Sequence, residues 1–343
     1  MQRQIINPGP LLDSQGHLAE TGYATSLLKA YDKSKVAANR LRIKEWDYYC
    51  ICTDHFALAL TIADNSYMTM DSISLLNFDD NSQITTFRMS IPLLSRRILP
   101  SSSVQGDVRA AGKDYELVFR NDGTCRQLTG HMDCFHKDTP ISFDLTLTDA
   151  PAETMVIVTP FKDKPKAFYY NQKINCMRTE GWIRYGDQEF ICNPSQHFAV
   201  LDWGRGVWTY DNTWYWGSAS GLAGNIPFGF NIGYGFGDTS AASENVLFYN
   251  GKIHKLSQVK FEIPMKDGTE DYLSPWKFTS DDSRFEMDFR PVMDRSAKVN
   301  LGILCSDQHQ VFGHFSGTAV LDDGQKIHIQ NLMGFAEKVR NKW

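Results

Sequence analysis

The sequence predicts an all-β protein made of antiparallel strands. Short runs rich in β-branched and aromatic residues recur along the chain, for example at 56–62 and 141–147. Turn-forming residues bound these runs, as at Asn250-Gly251 and Asp323-Gly324. Almost no helical periodicity lies between the strands, and this favours an antiparallel barrel or sandwich over alternating βαβ units.

The sequence predicts an N-terminal arm followed by two β units. Residues 1–41 form the arm, where the spacing of Leu27, Leu28 and Tyr31 predicts a short, partly helical segment. A first β unit over 42–206 and a second over 207–343 account for the rest. The length of 343 residues suits about two domains.

A weak twofold repeat supports this division. Asp202 and Glu337 are each followed six residues later by a tryptophan. The openings of the two units also correspond, at 46–49 and 214–217. Duplication of one β unit explains the match, and chance similarity between hairpins is the alternative.

The composition excludes several classes of function. Lys and Arg number 35 against 40 Asp and Glu, and the net charge of −5 lacks the basic excess that nucleic acids or anionic membranes attract. No stretch of about 18 apolar residues could cross a bilayer, and the first residues lack the apolar core of a secretory signal. We therefore expect a cytoplasmic protein with no nucleic-acid partner and no integral membrane segment.

Neither metal ions nor dinucleotides are expected as cofactors. The seven cysteines follow no regular spacing, which favours reduced thiols, and no zinc-ligand set completes the pair Cys50 and Cys52. The glycine-rich strand at 229–237 contains a Gly-x-Gly pattern, but another strand follows it. A dinucleotide loop needs a strand-to-helix turn. The sequence thus predicts no cofactor and no metal.

Four segments of the chain resemble a known family. They are residues 44–49, residues 201–208, residues 231–238 with Glu244-Asn245, and residues 334–337. Together they resemble DUF2804, a family without a settled function, over nearly the whole chain. The chain is also similar to the tandem lipocalin-like proteins that include AttH, the carotenoid 1,2-hydratases and some fungal Diels-Alderases.

The wider resemblance implies two lipocalin-like, calycin-type antiparallel barrels in tandem with a ligand cavity. Those proteins tend to have an Asp-His pair where this chain has Asp202-Trp203. Hydratase chemistry is therefore not transferred residue for residue.

The densest group of candidate site residues begins at Asp202. Aromatic faces beside a carboxylate and a guanidinium suit a pocket for an apolar or sugar-like ligand in which one acid moves a proton. We expect Asp202, steered by Arg205, and Glu244 as catalytic residues. The ligand-binding candidates are Trp208, Tyr210, Trp214, Trp216, Asn231 and Asp238. Alternatively, Asp202 and Arg205 form a buried ion pair that fixes the junction, with the tryptophans as core.

Glu244 is the best partner carboxylate for Asp202. It follows the glycine-rich strand and would face residues 231–238 across a hairpin. Paired acids are what a glycosidase or a hydratase needs. The alternating glycines either let a ligand approach the backbone or mark a tightly curved barrel strand.

Two functions remain open at the level of sequence. The first is a cofactor-independent acid/base enzyme of the hydratase, lyase, isomerase or hydrolase type. The alternative is a carrier whose cavity only sequesters a lipid-like molecule. Carboxyl groups that converge on a pocket favour catalysis, and a purely apolar lining favours carriage. The oligomeric state is open.

Overall fold

A computed structural model describes residues 2–91, 97–300 and 305–342. Within them the chain forms 26 β-strands and two single-turn 3-10 helices, at Lys33–Lys35 and Arg40–Arg42, so the fold is all-β as predicted. Neither helix of this described part is long enough or apolar enough to span a membrane.

The strands fall into two groups along the chain. The arm and first half hold β1 (Gly9–Pro10), β2 (Gly22–Ala24), β3 (Lys29–Ala30), β4 (Ile43–Cys52), β5 (Phe56–Asp64), β6 (Thr69–Asn77), β7 (Ser82–Ser90), β8 (Val108–Ala111), β9 (Tyr115–Asn121), β10 (Arg126–His136), β11 (Thr139–Thr148), β12 (Met155–Pro160), β13 (Phe168–Tyr185), β14 (Gln188–Cys192) and β15 (Phe198–Val207). The second half holds β16 (Asp211–Ala223), β17 (Ile226–Tyr234), β18 (Val246–Tyr249), β19 (Lys252–Lys255), β20 (Val259–Glu262), β21 (Met265–Lys266), β22 (Thr269–Glu270), β23 (Trp276–Ser280), β24 (Phe285–Asn300), β25 (Cys305–Val320) and β26 (Lys326–Lys342).

Two large antiparallel sheets dominate the structure, each curled into a half-barrel of the lipocalin-like kind. The first has the order β7-β6-β5-β4-β15-β13-β11-β10-β9-β8, with β2, β12 and β14 attached to this path. The second has the order β19-β18-β17-β16-β26-β25-β24-β23-β20. The chain passes from one sheet to the other between Val207 and Asp211.

The two sheets follow the same order of strands. In each, the last strand pairs with the first long strand, β15 with β4 and β26 with β16. Asp202 lies opposite Tyr48 on β4, and Glu337 lies opposite Trp216 on β16. The repeat in the sequence therefore coincides with equivalent strand positions, while a division at residues 206 and 207 stays a prediction.

Glycines permit the same tight strand contact in both sheets. A Cβ added to Gly181 would lie 2.1 Å from the carbonyl oxygen of Asp144, and one added to Gly317 would lie 2.1 Å from that of Glu286. Any side chain at either position would push β13 from β11, or β25 from β24.

Turn residues sit where the sequence places them. Asn250 and Gly251 join β18 to β19 with φ values of 50° and 78°, the left-handed conformation that a two-residue hairpin turn requires. Gly324 has a φ of 86° in the turn between β25 and β26. These signals fix where consecutive strands begin to pair.

Apolar side chains fill the interior of each sheet and part of the space between the sheets. The first interior includes Leu60, Phe119, Phe143 and Trp203, and the second includes Phe230, Trp276, Phe278 and Phe289. A third cluster between the two sheets contains Tyr48, Cys50, Trp216, Phe312 and Phe335. The outer faces of the two half-barrels are thus packed against each other.

The arm is mostly extended. β2 pairs with β12, and Leu27 and Leu28 pack against the first core instead of forming a helix. The helical part is limited to the two 3-10 turns, which the side chains of Asp32 and Asn39 cap.

Candidate functional site

The candidate site lies where the outer faces of the two sheets meet. Side chains alternate between the two faces of a strand, and on β13 Tyr170 and Ile174 help to fill the first interior. Asn171 and Lys173 therefore point outward, toward the second sheet. Their outward face belongs to a strand that is buried along most of its length.

Lys173 is the centre of this polar cluster. Its Nζ lies 3.0 Å from Oδ1 of Asp202 and 3.8 Å from Oε2 of Glu244. The same nitrogen sits 4.0 Å from the centre of the Trp216 ring, a favourable position for a cation. Its side chain is only 3% exposed. One buried ammonium therefore lies beside carboxylates from both halves of the chain.

Two side chains of β13 contact the carboxylate of Asp202. Lys173 is its direct neighbour across the strand pair, and Asn171 donates from Nδ2 to Oδ1 of Asp202 at 2.5 Å. Asn171 also donates to the carbonyl of Trp203 at 2.8 Å. Oδ1 of Asn171 is buried and has no hydrogen-bond partner among the described residues, which leaves a free acceptor at the site.

Glu244 reaches the cluster from the segment before β18. Asn231 on β17 donates from Nδ2 to the backbone oxygen of Glu244 at 3.0 Å and to its Oε2 at 3.3 Å. Trp216 in turn donates to Oδ1 of Asn231 at 2.7 Å. Burial raises the pKa of Glu244, and the charge of Lys173 opposes this rise.

The glycine-rich strand makes room for this carboxylate. A Cβ added to Gly233 would lie 2.8 Å from Oε1 of Glu244 and 2.7 Å from the carbonyl oxygen of Tyr215. The absence of a side chain at Gly233 therefore leaves room for the carboxylate of Glu244, which is a side chain of the protein itself. The expected hairpin neighbourhood of Glu244 and residues 231–238 is present.

Glu337 is a third carboxylate at the same interface, contributed by β26. Trp214 donates from Nε1 to Oε1 at 2.8 Å, and Gln310 donates from Nε2 to Oε2 at 3.1 Å. Burial raises the pKa of Glu337 to about 7, and the Trp214 hydrogen bond works against this rise. Negative charge on Asp202 also raises it.

Aromatic rings line the side of the cluster near the sheet junction. The Trp208 ring centre lies 5.3 Å from that of Trp46, 5.7 Å from that of Trp214 and 4.8 Å from that of Phe236. Tyr169 packs against Phe236 at 5.0 Å. No described residue accepts a hydrogen bond from the buried Nε1 of Trp208. The carboxylates are thus flanked by ring surface.

Arg205 does not join this site, which corrects the expected pairing with Asp202. Its side chain is fully buried on the inner face of β15, with Nη2 3.0 Å from Oδ1 of Asp47 and 2.8 Å from the carbonyl oxygen of Pro100. Residues three apart on a strand point to opposite faces, so Asp202 turns outward as Arg205 turns inward. Lys173 takes the place that the sequence assigned to Arg205.

Two other expected residues also lie apart from the cluster. Tyr210 is 45% exposed, and the guanidinium of Arg42 lies 5.8 Å from its ring centre. Asp238 accepts from the backbone nitrogen of Ser240 at 3.0 Å, and that hydrogen bond lowers the pKa of Asp238. The structure therefore brings together Asp202, Glu244, Trp208, Trp214, Trp216 and Asn231.

The site contains residues that the sequence analysis did not single out. The most important are Lys173, Asn171 and Glu337, although the repeat already aligned Glu337 with Asp202. The sequence does contain a signal for Lys173 and Asn171, because polar residues recur at every second position from 171 to 175 within a buried strand. That pattern marks one polar face on a strand whose other face is core.

A separate open groove lies on the outer surface of the first sheet. Its volume is about 600 Å³, and Gln127, Glu180, Trp182 and Ile191 are among the residues that line it. None of the expected site residues lines it.

Comparison with known proteins places the chain in a family. The family model described as "Domain of unknown function (DUF2804)" matches residues 2–343. The chain belongs to the DUF2804 family. No curated protein matches this DUF2804 chain.

Two solved structures share the fold of the DUF2804 protein. One is a Nitrosomonas europaea protein assigned as AttH (NE1406), with a TM-score of 0.53 and 13% identity, covering 92% of this chain and 98% of that one. The other is kievitone hydratase from Nectria haematococca, with a TM-score of 0.53 and 14% identity, covering 97% of this chain and 98% of that one. At these identities the likeness concerns the fold.

The segments that resemble DUF2804 in sequence meet at this interface. Asp202, Asn231, Glu244 and Glu337 come from three of them, and all four surround Lys173 or its immediate neighbours. The fourth segment supplies Trp46 and the adjoining strand β4.

Proposed function

We propose that this DUF2804 protein adds water to, or removes it from, a carbon–carbon double bond of a small apolar ligand held between the two sheets. The observation that carries the proposal is the convergence of three carboxyl groups at one buried interface, with Asp202 and Glu244 beside the ammonium of Lys173 and Glu337 held by Trp214 and Gln310. Water addition needs one group that gives a proton and another that takes one. The structural likeness to kievitone hydratase supports this reaction class.

Asp202 is the proposed base of the reaction. Lys173 and Asn171 both hold Oδ1, so that the carboxylate has a fixed orientation. A base fixed in this way can accept the proton that water loses when its oxygen attacks carbon. One of the two glutamates supplies the proton for the other carbon.

The aromatic rings are the proposed binding surface for the apolar body of the ligand. Trp208 and Trp214 flank the carboxylates, and large rings bury apolar area efficiently. Nε1 of Trp208 and Oδ1 of Asn171 lack partners among the described residues, so each can bind one polar group of the ligand.

The cluster argues against a purely sequestering carrier. Such a carrier favours an apolar lining, whereas this interface holds three carboxylates and a buried lysine. The interiors of the two sheets, where a lipid carrier would hold its cargo, contain tightly packed Phe, Leu and Trp side chains.

The test measures incorporation of oxygen from water. The full chain is incubated in ¹⁸O-water with kievitone, geraniol or oleic acid, and products are analysed by mass spectrometry. We expect a labelled product that is one water heavier from at least one of these alkenes. Asp202→Asn should slow its formation by about 10²–10⁴-fold, while Asp288→Asn, an exposed aspartate of β24, should not. Binding of a probe with no label incorporated would establish the carrier instead.

A further inference from the structure

We infer that Glu337 is the proton donor of the site, because among its three carboxyl groups it is the one that the described residues hold through neutral side chains alone. This inference rests on the proposed function and assigns one role within it. Asp202 and Glu244 share the ammonium of Lys173, at 3.0 and 3.8 Å. Glu337 instead receives hydrogen bonds from the Trp214 indole and the Gln310 amide.

A cation beside a carboxylate stabilises its charged form, and a neutral donor does so far less. Among the described residues, no Lys, Arg or His nitrogen lies within 4.0 Å of Glu337. Within the described part of the chain, the ammonium of Lys173 is the only one within 4.0 Å of any of the three acids, and the cluster is largely removed from solvent. A proton retained there collects on the acid that lacks the cation.

Burial within the cluster acts in the same direction, and it outweighs the Trp214 hydrogen bond and the more distant charges of Arg295 and Lys173, which lower the pKa of Glu337. Burial raises the pKa of Glu337 to about 7, so the group changes its protonation state near neutral pH. A general acid works best when its pKa lies close to the operating pH. Asp202 adds to the rise through its charge, which couples the proposed donor to the proposed base.

The reaction step balances with these two groups alone. The O–H bond of Glu337 breaks, and its proton forms a C–H bond with one alkene carbon by using the π electron pair. The oxygen of water bonds to the other carbon, and Asp202 accepts the proton that this water loses. Glu337 is then ionised and Asp202 protonated, and return of that proton through water restores both.

The first test follows protonation without any substrate. An infrared titration of the full chain records the C=O band of neutral carboxylic acids, which disappears as an acid ionises. We expect a band that titrates near pH 7, is lost in Glu337→Gln and is kept in Glu262→Gln, an exposed glutamate of β20. A band that persists in Glu337→Gln but disappears in Glu244→Gln would make Glu244 the donor and overturn the inference.

Two tryptophan variants provide a second test should Glu337→Gln fail to fold. Trp214→Phe removes a hydrogen bond that stabilises the ionised form of Glu337, so the titration should move to higher pH. Trp208→Phe is the matched control, because its Nε1 has no described partner. If the band disappeared at the same pH in both variants, its assignment to Glu337 would be contradicted.

Turnover separates this inference from the proposed function. With an alkene that the protein hydrates, Glu337→Gln should slow labelled-product formation by about 10²–10⁴-fold and leave binding of that alkene unchanged. An undiminished rate would overturn the donor role while hydration stands. If the unaltered protein hydrates no probe, the proposed hydration and the donor role of Glu337 are both contradicted. The infrared band still decides whether Glu337 holds the proton.

Discussion

Asp202 and Glu337 occupy equivalent positions on the last strands of the two sheets, and among the described residues only Asp202 has an ammonium within 4.0 Å. Asp202 lies opposite Tyr48, and Glu337 lies opposite Trp216 in the corresponding strand pair. Both carboxylates point out of their own half-barrel and into the interface. The two equivalent acids therefore have different charge environments. A reaction that needs both a proton donor and a proton acceptor requires such a difference.

The first prediction concerns which acid is coupled to Arg205. Asp47→Asn and Arg205→Met should show a coupling energy of about 0.5–3 kcal/mol in a double-mutant cycle, because these side chains form a buried ion pair. Asp202→Asn and Arg205→Met should be additive, since they lie on opposite faces of β15. Urea unfolding of the single and double variants measures both cycles.

Coupling between Asp202 and Arg205 of the size seen for Asp47 would contradict the outward orientation of Asp202. The two cycles share the Arg205→Met variant, so any general loss of stability from that change cancels between them.

Much of the fold follows from local sequence signals. Alternating strands and hairpin turns such as Asn250-Gly251 depend on residues close in sequence, and they predict an all-β chain directly. The repeat depends on aligned sequence positions, chiefly Asp202 with Glu337 and residues 46–49 with 214–217, and needs no knowledge of the packing. The nearness of Glu244 to Asn231 also follows from a short connection between neighbouring strands.

The partner of Asp202 depends on pairing between distant parts of the chain. Lys173 becomes its neighbour only because β13 lies beside β15, with a specific register between them. The expected pairing with Arg205 rested on closeness in sequence and overlooked the two-residue period of a strand. The same period, applied to residues 171–175, marks the polar face that carries Lys173.

A second prediction tests the buried ammonium. Lys173→Met leaves Asp202 and Glu244 without their shared cation, and should lower the free energy of unfolding by about 3–5 kcal/mol at neutral pH. The loss should shrink at acidic pH, where Glu244, whose pKa burial raises, takes up a proton and no longer needs the cation. Lys277→Met is the control, because its ion pair with Asp288 has the same 3.8 Å separation as Lys173 and Glu244 but is exposed. Equal losses for the two lysines would refute the central role of Lys173.

A third prediction concerns the space beside Glu244. Gly233→Ala places a methyl group 2.8 Å from Oε1 of Glu244 and 2.7 Å from the Tyr215 carbonyl, so the carboxylate or the strand must move. We expect a lower melting temperature and a weakened Glu244–Asn231 contact, observable as a shifted Asn231 side-chain amide signal in NMR spectra. Gly9→Ala, whose Cβ would meet only Nζ of Lys29 at 3.8 Å, should change neither. An unshifted amide signal in Gly233→Ala would show that Glu244 does not need this glycine.

The last prediction is the pH dependence of stability that Glu337 imposes. Its pKa rises from an ordinary 4.5 to about 7 in the folded chain, so between these values the folded state holds a proton that the unfolded state has lost. Stability contributed by this group must therefore fall as pH rises across that window, by about 3 kcal/mol in total. The Glu337→Gln side chain cannot titrate, so this variant does not lose that stability. Its free energy of unfolding minus that of the unaltered chain should therefore rise by about 3 kcal/mol between acidic and neutral pH. Urea unfolding at a series of pH values measures the difference, with Glu262→Gln as the exposed control. Parallel curves for Glu337→Gln and the unaltered chain would mean that Glu337 holds no extra proton when folded, and the proposed donor would then be lost.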